Sequence, residues 1–540
     1  MKIALCQLNY IIADIEGNKK KIIEAIESAK KHKVDLAIFS ELSICGYPPD
    51  DLLDYPFFVE KCENAISEIA FYCDNIAAII GGPTINISHI GKRLFNSAYF
   101  IENKFVKSVT NKTLLPTYDI FNEARYFEPN RLFELIEFKG KKIALTICED
   151  LWNDADFLQY ESDPLSELKK QNPDFIVNIS ASPFNKGKYE RRLEALKNQT
   201  KKHGLQLFYV NQVGAHTDII FDGNSMIINP NGEIIHQLAS FEEDVLYFDS
   251  ESDFISKENI QKKDIALLHQ ALVFGLKNYF EKMGFKKAIL GSSGGIDSAL
   301  VQALASEAIG PENVMAVLMP SEFSSEGSVS DAQKLSENIG NPFQILPIKT
   351  VYNTFVETLQ PIFGELPFNT TEENIQARSR AIILMAISNK FGNILLNTSN
   401  KSKMAVGYST LYGDMCGSLS VIGDLYKTEV YELCNYINRN SEIIPNAILN
   451  KAPSAELRPN QKDSDSLPDY EILDSILFQY IEEQKSIEQI IASGHEENIV
   501  LRTIKMVNNN EFKRFQAPPI LRVSAKAFGR GRQIPLVSKW

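Results

Sequence analysis

Apolar positions in this chain recur in two rhythms, short continuous runs and a spacing of three to four residues, and the two take turns. Residues 2–8 (Lys-Ile-Ala-Leu-Cys-Gln-Leu) read as a first buried strand. Residues 19–32 read as a helix with Ile22, Ile23, Ile26 and Ala29 on one face, and 34–39 as the next strand. Further apolar runs at 76–80, 143–147, 175–179 and 207–210 predict strands. Strands separated by helices predict an α/β layered fold. The periodicity weakens around 250–263, a polar and charged stretch, and the domain junction is placed there. That gives units of 1–250 and 265–540, with 251–264 as linker.

A second α/β unit follows. A helix over 265–283 leads to a strand at 287–290, a glycine-rich loop at 291–298, and a helix at 299–309 stopped by Gly310-Pro311. A strand at 314–319, a helix near 331–339 and a strand near 343–348 continue the alternation. This is the pattern of a parallel sheet wound with helices.

Composition narrows the chemistry. At 540 residues the chain exceeds one core, and 44% hydrophobic with 23% charged residues is ordinary globular usage. Acidic residues outnumber basic ones, 69 to 56, which argues against a general nucleic-acid binder. No apolar run of about 18 residues exists to cross a membrane, and the first apolar run breaks too early for a signal peptide. Seven cysteines, an odd number with no C-x-x-C pair, weaken both a disulfide framework and a zinc site. A reduced, cytoplasmic setting is expected. No H-E-x-x-H and no G-x-x-x-x-G-K-[ST] occurs, so zincin and Walker-type chemistry lack support. Residues 502–540 carry nine Lys/Arg against one acid, Glu511.

The sharpest motif is Gly291-Ser292-Ser293-Gly294-Gly295-Ile296-Asp297-Ser298. A strand feeds it and a helix leaves it, so backbone N–H groups and the helix dipole converge on one point. Glycines admit an anion close to the backbone, and Ser293 and Ser298 add hydroxyl donors. Asp297 would repel a phosphate unless a cation lies between them, so it predicts Mg²⁺ as its ligand. The loop resembles the signature of the N-type ATP pyrophosphatases, which adenylate a substrate oxygen and release pyrophosphate.

Six later blocks resemble NAD synthetases: Glu373-Asn374-Ile375-Gln376-Ala377-Arg378, Asn397-Thr398-Ser399-Asn400-Lys401-Ser402, Gly407-Tyr408 through Gly413-Asp414, Asp424 through Lys427-Thr428, Pro453-Ser454-Ala455-Glu456-Leu457, and Lys513-Arg514 through Pro518-Pro519. The resemblance covers nearly all of 265–540. It implies ATP contacts from the loop and Thr398, and deamido-NAD contacts from Asn374, Lys513 and the position of Lys403. In their own right, Lys427, Lys513 and Arg514 suit a dinucleotide's pyrophosphate and carboxylate, while a solvated basic face is the alternative for the rest of the tail. One departure stands out. Where these synthetases carry Glu after Asn-Lys-Ser, close to dinucleotide and metal, this chain has Lys403. A cation there opposes Mg²⁺, pairs with a phosphate, or points to solvent.

In the first half, Cys148 ends an apolar strand and precedes Glu149-Asp150. Adjacent carboxylates would raise a thiol's pKa, so a reactive Cys148 needs a base or cation nearby; a buried structural cysteine is the alternative. Glu41 follows the strand at 34–39, and Lys112 precedes Leu115-Pro116. Residues at carboxyl ends of strands commonly meet. Glu41, Lys112 and Cys148 resemble the Glu-Lys-Cys triad of the nitrilase superfamily over about 1–250, and the run Gly46-Tyr47-Pro48-Pro49-Asp50-Asp51-Leu52-Leu53 is similar to that of glutamine-dependent NAD synthetases. The resemblance implies a nitrilase-like αββα sandwich, with Cys148 as nucleophile, Glu41 as general acid and base, and Lys112 as oxyanion donor. It implies Glu123 as a second, positioning glutamate, and Tyr118, Ser182 and Lys188 as glutamine contacts.

The two halves together imply an amidase that supplies ammonia to an ATP-dependent synthetase, forming NAD from glutamine, ATP and deamido-NAD in a homo-oligomer, with a shielded passage for ammonia. A related amidotransferase acting on another carboxylate or carbonyl, and a degenerate NAD-precursor binder without turnover, are the alternatives. The acidic stretch 463–474 reads as a mobile loop near the ATP site.

Overall fold

The computed structural model describes residues 1–88, 90–153, 160–250 and 264–538. It divides into two compact units, Met1–Lys262 and Lys263–Trp540. The linker expected at 251–264 lies, except for Asp264, outside the described residues.

Two six-stranded sheets build the first unit. One runs in the spatial order Asp244–Asp249, Lys2–Gln7, Leu36–Ile38, Ala77–Ile85, Leu94–Glu102, Phe105–Asn111. The other runs Ile234–Gln237, Met226–Ile228, Gln206–Asn211, Phe175–Ser180, Lys141–Ile147, Ile136–Phe138. In each sheet three parallel strands lie in the centre and antiparallel strands extend the edges. Alternation sorts the side chains. Ile3, Leu5, Ile38 and Ile79 of one sheet pack against Leu145, Ile147, Val177 and Phe208 of the other. Ala4, Cys6, Ala78 and Ile80 face the opposite way, onto helices Ile15–Lys31 and Pro56–Ala70. Ala144, Ile176 and Leu207 meet helices Pro164–Lys169 and Lys188–His203 on the far side. The layers are αββα.

In the second unit five parallel strands run in the order Phe343–Ile345, Val314–Leu318, Ala288–Gly291, Ile394–Asn397, Leu419–Ser420. One face carries Ile289, Val317 and Leu395 against Leu384 of helix Thr370–Phe391. The other carries Ala316 and Leu318 against Ala332 of helix Glu326–Ile339. The chain winds outward from Ala288–Gly291 and then crosses back to Ile394–Asn397, so the strand order reverses between those two. Ligands bind at the carboxyl ends of strands at such a switch point. No described helix is long and apolar enough to cross a membrane.

Helix Ile296–Ile309 begins earlier than the sequence pattern predicts, which puts Asp297 and Ser298 in its first turn. The stretch expected as a mobile acidic loop forms a short 3-10 turn, Asp463–Asp465, and the start of helix Tyr470–Ile481. Its last acid is anchored by hydrogen bonds: Asp474 accepts from Ser402 Oγ and from Thr428 N.

Gly81 lies where the strand Ala77–Ile85 passes the turn after Leu36–Ile38. Its N–H donates to Ser43 Oγ at 3.2 Å and its carbonyl accepts from Ile44 N at 3.1 Å. A Cβ here would fall on the backbone of residues 40–42, 2.5 Å from the Ser40 carbonyl oxygen. Gly81→Ala is therefore expected to cost about 1–3 kcal/mol of stability, read from the urea midpoint; an unchanged midpoint would show that this crossing relaxes freely.

Candidate active sites

In the first unit, strand ends of both sheets deliver charge to one buried place. Lys112 follows the edge strand Phe105–Asn111, and its side chain is 0% exposed. Its Nζ lies 2.7 Å from Glu41 Oε1 and 2.8 Å from Glu123 Oε1. Asn96, on the neighbouring strand, donates to Glu41 Oε1 at 2.7 Å and to Glu123 Oε2 at 3.3 Å. Tyr47 Oη donates to Glu123 at 2.8 Å, and the backbone N–H of Ala181 to Glu41 Oε2 at 2.9 Å. Burial works against the Lys112 charge, yet the Glu123 and Glu41 carboxylates outweigh it and hold the ammonium well above its usual range. Burial pushes the Glu123 carboxyl up, against the pull of Lys112.

Cys148 opens the turn Cys148–Leu151 directly after the strand Lys141–Ile147, with φ of 45°. A non-glycine residue in that region costs of order 1–3 kcal/mol and persists only where its surroundings enforce it. Asp150 does the enforcing. One carboxylate oxygen accepts from Thr113 N (3.0 Å) and Leu114 N (2.8 Å), and the other from Ile147 N (3.0 Å). The cysteine turn is thereby tied to the residues that follow Lys112. Burial pushes the Cys148 thiol well up, and the Glu41 charge pushes it further, while Lys112 pulls the other way. The group rests as a thiol, so it needs a proton acceptor to react.

Around this centre, Tyr118 Oη donates to Glu149 at 3.0 Å, and Tyr160 Oη to the same carboxylate at 3.1 Å. Ser182 is buried, and its hydroxyl has no hydrogen-bond partner among the described residues. Lys188 Nζ lies over the rings of Phe121 (5.5 Å) and Trp152 (5.7 Å). Sequence reasoning missed Asn96, Tyr160 and Ala181 as site groups, and Glu149 and Asp150 in their separate roles.

In the second unit the loop 291–298 borders a cavity of about 270 Å³ at the switch point. Gly291, Ser292, Ser293, Gly295, Ile296, Asp297 and Ser298 line it, as do Thr398 and Lys403. Gly294 turns the loop with φ of 75°, and a Cβ there would strike the Ser328 carbonyl oxygen. Ser292 Oγ donates to Gln302, which is held in turn by contacts to Ser336 and Asn341. Ser298 Oγ accepts from Ser293 N at 3.2 Å. The helix start at Gly295 has no side-chain cap, which suits an anion at its N-terminus.

Asp297 does not stand open. Its Oδ1 lies 2.7 Å from Lys427 Nζ and accepts from Asn400 Nδ2 at 3.0 Å, and its Oδ2 lies 3.2 Å from Lys403 Nζ. Lys403 also approaches Asp463 at 3.7 Å. Although burial disfavours its charge, Lys427 and Lys403 hold the Asp297 carboxyl well below the ordinary carboxylate range. Asn374, on the helix Thr370–Phe391, and Lys513, on the short helix Glu511–Arg514, lie off the cavity lining and hold the 407–414 loop that borders it. Thr410 Oγ1 donates to Asn374 at 2.7 Å, and Lys513 Nζ donates to the carbonyls of Gly407 (2.7 Å) and Ser409 (2.8 Å). Arg514, considered above for a substrate charge, is instead buried on the carbonyls of Met404, Ala405 and Val507 and on Glu511.

Residues 2–256 match the carbon-nitrogen hydrolase family and 268–517 the NAD synthase family. A glutamine-dependent NAD(+) synthetase of Synechocystis sp. is 45% identical over 547 residues, 99% of this chain and 98% of that one. The chain belongs to the glutamine-dependent NAD(+) synthetases. The Acinetobacter baylyi synthetase is 42% identical over 100% of this chain and 98% of its own length. A solved glutamine-dependent NAD+ synthetase of Acinetobacter baumannii, in complex with ADP, is 39% identical with a TM-score of 0.79 over 99% of this chain and 98% of that one. That of Cytophaga hutchinsonii, at 23% identity, shares the fold with a TM-score of 0.84 over 100% and 98%. The synthetase is an enzyme, with the nitrilase-like sandwich first and the parallel-sheet unit second.

The Asp297 cluster makes a pH-dependent prediction. Because the folded-state pKa is depressed, the carboxylate's contribution is complete above the unfolded value of about 3.9 and is lost as pH falls below it. Asp297→Asn should therefore cost about 3 kcal/mol by a margin that stays level from pH 8 to about 5 and shrinks only in stronger acid. Paired urea titrations across that range check it; a margin that already falls between pH 7 and 5 would contradict a depressed carboxyl.

Proposed function

We propose that the first unit hydrolyses glutamine at Cys148 and that the second uses the ammonia to convert deamido-NAD to NAD at the expense of ATP. The observation that carries this reading is the fully buried Lys112 ammonium, fixed between Glu41 and Glu123 beside a thiol on a strained turn.

Glu41 takes the thiol proton as Cys148 sulfur attacks the glutamine amide carbon. Lys112 donates to the oxyanion of the tetrahedral intermediate, a kind of contact whose removal costs about 2.7–4 kcal/mol. Collapse of that intermediate expels ammonia, with the proton returned by Glu41, and leaves a thioester. Water, deprotonated by Glu41, then releases glutamate and restores the thiol. Glu123 is a positioning residue here, since it holds Lys112 while Tyr47 and Asn96 hold it. The Tyr118–Glu149 pair, the unpartnered Ser182 hydroxyl and Lys188 offer the acceptors and donors that an amino acid's α-groups require.

In the second unit the nicotinate carboxylate of deamido-NAD attacks the α-phosphorus of ATP, and pyrophosphate leaves. Ammonia attacks the acyl carbon of the adenylate and AMP leaves, giving NAD. The loop 291–298 and Thr398, which line the cavity at the switch point, take the nucleotide; the Acinetobacter baumannii synthetase was solved in complex with ADP, which supports nucleotide binding as such. Asn374 and Lys513 shape the 407–414 loop on the deamido-NAD side. Mg²⁺ does not fit at Asp297 as a protein-held ion, because both carboxylate oxygens already meet N–H donors and the described residues contain no cluster of three metal-ligating side chains. Seven free cysteines support a reducing, cytoplasmic setting. Exposed Phe355, Ile362, Leu366 and Phe368 on and after the helix Lys349–Phe363 support self-association into a homo-oligomer.

Cys148→Ala tests the assignment by chromatography of products from ATP, deamido-NAD and a nitrogen source. Glutamine-driven NAD formation should fall at least about a thousandfold while ammonia-driven formation stays within about twofold. Glutamine use at the parent rate would remove Cys148 from the mechanism, and absence of AMP from the parent enzyme with ammonia would sink the substrate assignment.

A further inference from the structure

This inference rests on the adenylation reading of the second unit and concerns how its cavity carries the charge of the phosphates. Lys403 and Lys427 approach Asp297 from two sides, one ammonium on each oxygen, at 3.2 and 2.7 Å. Both lysines are locked by their backbones. Asn400 Oδ1 accepts from Lys403 N at 2.9 Å, capping the helix Lys401–Val406. Lys427 N donates to Ser402 Oγ at 2.9 Å, and Ser402 donates to buried Asp474. Neither side chain is a floppy surface charge, since Lys403 is 19% and Lys427 2% exposed.

The cavity lining also contains Arg380 and Lys451, so four basic side chains meet three acidic ones, Asp297, Asp414 and Glu456. Two of those acids are already satisfied: Glu456 by Ser325, Ser328 and Lys451, and Asp414 by Thr410 N. Among the lining side chains basic groups outnumber acidic ones by one, and Asp463, off the lining, lies 3.7 Å from Lys403, in a chain of net charge −13. A divalent ion bound at Asp297 would need a free carboxylate oxygen at about 2.0–2.1 Å and would face two ammonium groups. A polyphosphate faces the opposite situation and gains charge-assisted hydrogen bonds from both.

We propose that Lys403 and Lys427 form a paired ammonium clamp that binds the pyrophosphate portion of ATP directly, so that this cavity holds pyrophosphate without a protein-bound divalent ion. Asp297 is the positioning residue that sets the separation of the two lysines. Lys403 supplies at this point the positive charge that a carboxylate in its place would have to recruit as a metal ion.

The test is calorimetric binding of inorganic pyrophosphate to the full-length chain in excess EDTA. The parent should bind, Lys403→Gln should bind at least tenfold more weakly, and Lys403→Arg should stay within about threefold. Lys403→Glu should lose metal-free binding and regain it when Mg²⁺ replaces EDTA. No binding by the parent without Mg²⁺, or equal metal-free affinity in parent and Lys403→Gln, would overturn the clamp. A single cooperative thermal transition well above the assay temperature verifies that each variant folds, since loss of the buried pair lowers the midpoint by itself. AMP formation by the parent, with deamido-NAD and ammonia, is scored separately. Its absence would refute the adenylation reading, and the EDTA binding result would still decide the clamp.

Discussion

A lysine ammonium with no contact with water is the constraint around which the first unit is arranged. Taking such a charge out of water costs several kcal/mol even after relaxation, and only well-placed counter-charges recover it. Lys112 receives two carboxylates, and these carry surplus negative charge that must be satisfied in turn by Asn96, Tyr47 and the Ala181 N–H. Those groups come from the strand Leu94–Glu102, from the residue that follows the strand Phe175–Ser180 and from the loop containing Gly46, so the ion cluster ties the two sheets together. One result is a net negative charge near Cys148, which adds to the larger effect of burial in favouring the thiol over the thiolate. Asp150 adds the mechanical half, by binding the backbone of the Lys112 loop and of the cysteine turn with a single carboxylate.

In the second unit the sign is reversed. One buried carboxylate, Asp297, sits between two lysines, and the cavity lining as a whole carries one more basic than acidic side chain. That surplus stands at the end of a parallel strand beside an uncapped helix start, both favourable to an anion. The two units therefore treat charge in complementary ways: the first stores negative charge to receive a proton, and the second stores positive charge to receive phosphates.

The parts of this arrangement legible in the sequence were those with a local signature. Central parallel strands such as Ala77–Ile85 and Phe175–Ser180 are buried on both faces, so they print as continuous apolar runs. The edge strand Phe105–Asn111 is largely exposed and contains Lys107, Ser108 and Thr110, so no run marks it. Its hairpin turn uses Asn103 and Lys104 at positive φ, a weaker signal than Asn-Gly. Missing that hairpin also hid Asn96, which lies on the strand beside it. Glu41, Lys112, Glu123 and Cys148 were named because family words surround them. Their partners Asn96 and Ala181 enter only through tertiary pairing, and no sequence spacing encodes that.

Lys403 shows the same limit from the other side. The sequence offers three readings of a cation at that position, and the choice depends on residues 106 positions before it and 60 after it, Asp297 and Asp463. Replacing a carboxylate by an ammonium changes the local charge by two units, a change that an acidic cavity floor of fixed geometry would have to absorb. Here the floor absorbs it because Asp297 has a second oxygen beyond the one that Lys427 uses, and because Asp463 is folded inward on a short turn and held by Tyr470 Oη at 2.8 Å. An ammonium in such a place is compensated by two carboxylates and holds neither alone, since Lys427 claims part of Asp297 and Tyr470 part of Asp463. Each ammonium has three N–H donors, and an extended polyanion, with several anionic oxygens, is the ligand class that can meet both groups at once.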